Sequence, residues 1–136
     1  MEQTFAIIKP RAVADKESGK IIDMIEAAGF EIVAMEKITI SPAQAQELYA
    51  EHKERSFFGE MVQSMTSSPV IIMKLSKDNA VLAWRDLMGA TNPSQALSGT
   101  IRAIFGKSIG ENATHGSDSL ASAARELKIF FGGCCK

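Results

Sequence analysis

The period of apolar and polar positions changes several times along the chain, and each change marks an element. Phe5-Ala6-Ile7-Ile8 is an apolar run stopped by Lys9-Pro10 and predicts a buried strand. Ile21, Met24, Ile25 and Ala28 recur at helical spacing with Gly29 behind them, predicting a helix with a glycine stop. Phe30 to Ile40 is rich in β-branched and apolar residues and predicts a long strand. Ser41-Pro42-Ala43-Gln44 offers an N-cap, a proline at the first helical position and a capping-box glutamine. The helix it opens would carry Ala45, Leu48, Tyr49 and His52 on one face, and a second short helix is expected over Phe58 to Thr66. Pro69 to Leu75 predicts a strand with proline at its start, where no ladder donor is lost. Asp78 is expected to cap a helix through Met88, with Gly89 at its end.

Ala90 to Asp118 shows no period and is punctuated by glycines, hydroxyls and an Asn-Pro. A compact domain rarely keeps so long an irregular stretch unless it serves a site. A short strand near Ala113 to His115 is expected inside it, and Leu120, Ala123, Ala124 and Leu127 then share one face of a last helix. The order βα-β-αα-β-α-loop-β-α predicts an α/β sandwich with a four-stranded sheet.

Composition narrows the class. At 136 residues, 46% apolar and 23% charged, the chain reads as one globular domain, 1–136, and not as a disordered segment. No run approaches the ~20 apolar residues of a membrane span. With a net charge of −1, no global field draws the chain to nucleic acid or lipid, so a bound anion needs a local site. Met1-Glu2-Gln3-Thr4 lacks a basic n-region, which argues for a cytoplasmic protein. The adjacent Cys134 and Cys135 are expected in a frayed, reduced tail.

Several residues could carry chemistry. Gly106-Lys107-Ser108 resembles the end of a phosphate-binding loop, but Ile101 stands where the first glycine is required, so an exposed turn is expected. His115 lies in Asn112-Ala113-Thr114-His115-Gly116-Ser117-Asp118-Ser119, before the last helix. Gly116 would let the backbone turn and a ligand approach the ring, and Ser117 and Asp118 could cap the helix. An imidazole with an ordinary pKa near 6.5 is largely free base at neutral pH, so His115 suits a nucleophile, but on these grounds alone a structural loop histidine is the more ordinary reading. Lys9, Arg85 and Arg102 lie on three different elements and match phosphate oxygens only if the fold gathers them.

Ile7-Ile8-Lys9-Pro10, Tyr49-Ala50-Glu51-His52, Phe57-Phe58, Gly89-Ala90-Thr91-Asn92-Pro93, Gly99-Thr100-Ile101-Arg102 and the segment from Asn112 to Asp118 occur in an order that resembles nucleoside diphosphate kinases, from Thr4 to about Gly132. The resemblance implies a ferredoxin-like βαββαβ sandwich with an antiparallel sheet. It also implies ping-pong transfer of a terminal phosphate between nucleoside tri- and diphosphates through a phosphohistidine at His115. Glu126 matches the carboxylate that orients the imidazole, and Ser117 supports it by hydrogen bonding. Lys9, Tyr49, His52, Arg85, Thr91, Arg102 and Asn112 match positions around phosphates, ribose or nucleophile, and Phe57, Met61 and Ile109 surround the base. Mg²⁺ would arrive on the nucleotide phosphates, with Asp118 reaching it only through water. A homo-oligomer, tetramer or hexamer, is implied, although Ser56, Ile104 and the short tail depart from common family patterns.

Phosphoryl transfer asks a protein mainly to position groups and spread positive charge, which two arginines and a lysine can do. Phe57, Met61 and Ile109 can stack on a base but cannot read its edge, so broad base and sugar tolerance is expected. Two other readings start from the same residues. A histidine phosphocarrier would take its phosphate from a protein and need no base site, and a binding module would not need His115.

Overall fold

The computed structural model describes residues 1–50, 54–56 and 58–132. Strands β1 (Glu2–Ile8), β2 (Glu31–Ile38), β3 (Val70–Lys77) and β4 (Thr114–Gly116) form one antiparallel sheet in the order β2-β3-β1-β4. The helices among these residues are α1 (Pro10–Ala14), α2 (Ser18–Ala27), α3 (Pro42–Leu48), α4 (Phe58–Thr66), α5 (Ala80–Met88), α6 (Ile101–Phe105) and α7 (Leu120–Phe131).

Both sheet faces are covered, so the central strands read as continuous apolar runs. Ala6, Ile8, Met73 and Leu75 pack with Ile21, Ile25, Trp84 and Met88 on one face. Phe5, Ile7, Val70 and Ile72 pack with Ile40, Ala45, Leu48, Met65 and Phe131 on the other. The antiparallel four-stranded sheet sandwiched by helices is the fold that the resemblance implied.

Local signals held where capping chemistry or a period was strong. The capping box forms: Ser41 Oγ accepts from Gln44 N and Gln44 Oε1 from Ser41 N, both at 3.1 Å. α4 covers the predicted Phe58–Thr66, and Gly29 takes a φ of +93 just past α2.

Other expectations need correction. Asp78 does not cap α5; the N-cap is Asn79, in the left-handed region at φ 54, with no side-chain cap bond. The carboxylate of Glu2, from the far end of β1, accepts from Val81 N at 2.8 Å instead, a long-range partner invisible to local reading. The stretch from Ala90 to Asp118 is more regular than its pattern indicated, with a 3-10 turn at Pro93–Gln95 and α6 before β4. The face of α7 is also displaced. Ser122, Ala123, Glu126 and Phe131 are buried, whereas Leu120 and Ala124 are exposed. Helical apolarity misplaced that face because two of its buried residues, Ser122 and Glu126, are polar.

Candidate active site

The register of β1 and β4 places the histidine. Ile7 pairs with His115, so both side chains emerge on the face covered by α3, α4 and α7. The imidazole meets the rings of Phe5 and Tyr49 edge-on, with centroids 6.2 and 6.1 Å away. Its Nε2 donates to Glu126 Oε1 at 2.9 Å, and Ser117 Oγ donates to the same oxygen at 2.9 Å. The Glu126 side chain is only 5% exposed, while that of His115 retains 18%. The buried carboxylate therefore fixes a ring that still reaches solvent, and Nδ1 is the nitrogen that Glu126 does not engage.

His115 lines a cavity of about 730 Å³ together with Lys9, Tyr49, Met61, Arg85, Thr91, Arg102, Ile109, Asn112, Asp118 and Glu126. The fold thus brings the three scattered cations onto one cavity with the histidine. Ser117 is buried behind the ring, and His52 and Phe57 lie outside the described residues, as do Cys134 and Cys135.

Hydrogen bonds tie these walls together. Lys9 Nζ donates to Asn112 Oδ1 at 2.7 Å, and Asn112 Nδ2 donates to the Thr91 carbonyl at 3.1 Å. Arg102 spends two nitrogens on backbone carbonyls, Gly89 at 3.1 Å and Thr114 at 2.9 Å, so it anchors β4 as well as facing the cavity. Asn112 and Thr114 close a tight turn around Ala113, a non-glycine residue at φ 77, and the Ala113 carbonyl accepts from Lys9 N at 2.8 Å. Backbone strain of this kind persists only where the surroundings over-determine it.

Electrostatics oppose an empty cavity. Burial first, and Arg102 second, bring the Lys9 ammonium down to about 8. Burial and Arg85 bring Arg102 down to about 10, and its guanidinium still stays protonated at neutral pH. The cluster penalises its own charge, a penalty that a bound anion removes. Burial and the Glu126 charge push the Tyr49 phenol well above its ordinary value, keeping it a neutral hydroxyl. The Ser122 hydroxyl, bonded to Asp118, holds that carboxyl below its ordinary value and therefore ionised.

Two local readings change. Gly116 makes no turn, although it does line the cavity beside His115. It pairs with Ala6 inside β4, and a Cβ there would lie 2.5 Å from Met88 and from the Trp84 indole, on the opposite face from the imidazole. The glycine is required because Trp84, whose Nε1 donates to the His115 carbonyl at 3.2 Å, occupies the space that a Cβ would need. Neither Ser117 nor Asp118 caps α7; Ser119 does, accepting from Ser122 N at 3.1 Å. Leu48, Glu60, Ser64, Met65 and Arg125 also line the cavity and escaped the sequence reading. For Arg125 the available signal was its place one residue before Glu126.

Comparison with known proteins accounts for this arrangement. The family model described as nucleoside diphosphate kinase matches residues 2–134. A nucleoside diphosphate kinase of Geotalea daltonii is 56% identical over 131 residues, covering 96% of each chain. That of Trichlorobacter lovleyi is 57% identical over 96% of this chain and 95% of its own. A crystal structure of the Encephalitozoon cuniculi nucleoside diphosphate kinase superposes with a TM-score of 0.95 at 36% identity, covering 98% of this chain and 90% of that one. The Aquifex aeolicus nucleoside diphosphate kinase gives 0.94 at 38% identity, covering 97% and 96%. With its sequence, its fold and its one-cavity cluster of histidine and cations all in accord, this chain belongs to the nucleoside diphosphate kinase family.

Proposed function

We propose that this phosphotransferase moves the terminal phosphate of a nucleoside triphosphate to a nucleoside diphosphate in two half-reactions, through a phosphohistidine at His115. The observation that carries this reading is the imidazole held at Nε2 by a buried carboxylate, in a cavity that also collects Lys9, Arg85 and Arg102. The Nδ1 lone pair attacks the terminal phosphorus, the bond to the bridging oxygen breaks, and the diphosphate leaves with that oxygen. A second diphosphate reverses the step and restores the free ring.

Glu126 keeps the proton on Nε2, so that Nδ1 carries the lone pair and the developing imidazolium is stabilised. Lys9, Arg85 and Arg102 meet phosphate oxygens, and Asn112 steers Lys9. Thr91, Tyr49 and His52 complete the phosphate and ribose surroundings, and Phe57, Met61 and Ile109 sandwich the base without reading its edge. Among the described residues, no three His, Cys, Asp or Glu side chains converge on one point, which suits Mg²⁺ carried by the nucleotide. Mg²⁺ would neutralise developing phosphate charge, with Asp118 within reach through a water molecule.

Self-association into a tetramer or hexamer belongs to the same reading. β2 ends the sheet with Val33 at 42% and Met35 at 49% exposure among the exposed Glu31, Glu36 and Lys37, an edge strand with apolar side chains left to cover. So does a single domain over 1–136 in the cytoplasm; among the described residues no helix is long and apolar enough to cross a membrane.

Steady-state kinetics test the proposal. With ATP and GDP varied together, double-reciprocal plots should be parallel, and His115→Ala should lose at least ~10⁴-fold in turnover while still binding nucleotide in calorimetry. Intersecting lines, or turnover retained by the variant, would defeat it. Phosphate accepted from a protein but never passed to GDP would favour a phosphocarrier instead.

A further inference from the structure

Arg125 and Glu126 are neighbours on α7 and so diverge by about 100° around the helix. Glu126 turns toward β4, and Arg125 turns toward α3. There its Nη1 donates to the Glu47 carbonyl at 2.9 Å, at the C-terminal end of α3, where positive charge is favoured. Its Nη2 lies 3.6 Å from Glu126 Oε2, the oxygen opposite the one that His115 and Ser117 use. One planar guanidinium thus addresses two parts of the site at once. α3 and α4 supply one wall of the cavity, through Leu48, Tyr49 and Met61, and Glu126 holds the nucleophile at its floor.

We propose that Arg125 is a positioning residue that locks the α3–α4 wall to the carboxylate orienting His115, so that nucleotide grip and imidazole alignment are set together. The proposal rests on the reading of His115 given above. The carboxylate has two oxygens to satisfy, and it can rotate off Nε2 if Oε2 loses its cation. A planar fork suits the task, because its nitrogens stand at fixed separation on one rigid group.

The two contacts separate by substitution. Arg125→Met keeps most of the apolar stem and removes the guanidinium from the Glu47 carbonyl and from Glu126 Oε2. It should slow single-turnover phosphorylation of His115 at saturating ATP and raise KM for the diphosphate, each by about fivefold. Arg125→Lys keeps the charge but not the fork; it should restore the single-turnover rate to within about twofold while KM stays raised. Melting temperatures of both variants, measured alongside, should stay close to wild type. In the unphosphorylated protein, ¹⁵N resonances of the His115 ring should report one tautomer, with the proton on Nε2, in wild type and Arg125→Lys, and a mixture in Arg125→Met. That readout needs no turnover, so it judges Arg125 even if His115 proves not to carry phosphate. An unchanged tautomer in Arg125→Met, or the same loss of rate and KM in both variants, overturns the proposal.

Discussion

Glu126 Oε1 lies 2.9 Å from His115 Nε2 and accepts a second hydrogen bond from Ser117 Oγ, so one buried oxygen holds the imidazole and is itself held. The phosphate should accordingly form on Nδ1, which ³¹P–¹H correlation across the phosphorylated ring would show; phosphate on Nε2 contradicts the geometry. Glu126→Gln preserves shape but weakens tautomer control, and turnover should fall about 10- to 100-fold. Ser117→Ala should have a smaller effect in the same direction.

Lys9 gives the site a pH dependence. Its folded value of about 8 lies below the ordinary 10.5, so above pH 8 the free enzyme progressively loses a cation that lines the cavity and is proposed to meet phosphate. kcat/KM should therefore fall through an apparent pKa near 8, a limb absent from the much weaker Lys9→Gln variant. Stability runs the other way. Between about 8 and 10.5 the unfolded chain binds this proton more tightly than the folded one, so the Lys9 contribution to stability rises with pH across that window. Melting curves of the nucleotide-free protein against Lys9→Gln, compared at pH 7.5 and 10, would check the sign.

Gly116→Ala should be destructive even though its place in the sequence, beside the histidine, suggests exposure. The added methyl meets Trp84 and Met88 at 2.5 Å, and overpacking of this kind costs about 1–3 kcal/mol. Because Trp84 also donates to the His115 carbonyl, activity should fall further than the shift in melting temperature accounts for. A variant with wild-type melting and turnover would show that the strand yields without cost.

Base tolerance is the fourth expectation. Met61 and Ile109 line the cavity with apolar side chains, which on the proposed reading would pack on any π-face. Values of kcat/KM for ADP, GDP, CDP, UDP and their deoxy forms should lie within about tenfold of one another, since strong discrimination needs buried groups bonding the base edge. A thousandfold preference for one base would mean that an edge-reading group exists.

The sequence was most legible where chemistry is local. The Ser41–Gln44 capping box, the α4 span and the Gly29 stop depend on residues within a few positions of one another, and all appear as read. Legibility failed where the deciding partner is distant. The acid that serves the start of α5 is Glu2, 79 positions before Val81, and the neighbour that demands Gly116 is Trp84, across the sheet. At the site, residue types alone left His115 open between nucleophile and loop residue, and Lys9, Arg85 and Arg102 unconnected. Family resemblance implied their roles; the β1–β4 register sets His115 beside β1, and the fold carries Lys9, Arg85 and Arg102 to the same cavity. Arg125 stayed hidden because its bond to the Glu47 carbonyl depends on the docking of α7 against α3.

The most direct test of the account is a pulse and chase on the whole chain. After brief exposure to γ-labelled ATP and removal of nucleotide, the protein should carry acid-labile, base-stable label in the proteolytic peptide containing His115. Unlabelled GDP should then move that label into GTP within a turnover. Label on another residue, or label on His115 that GDP cannot remove, would contradict the central claim.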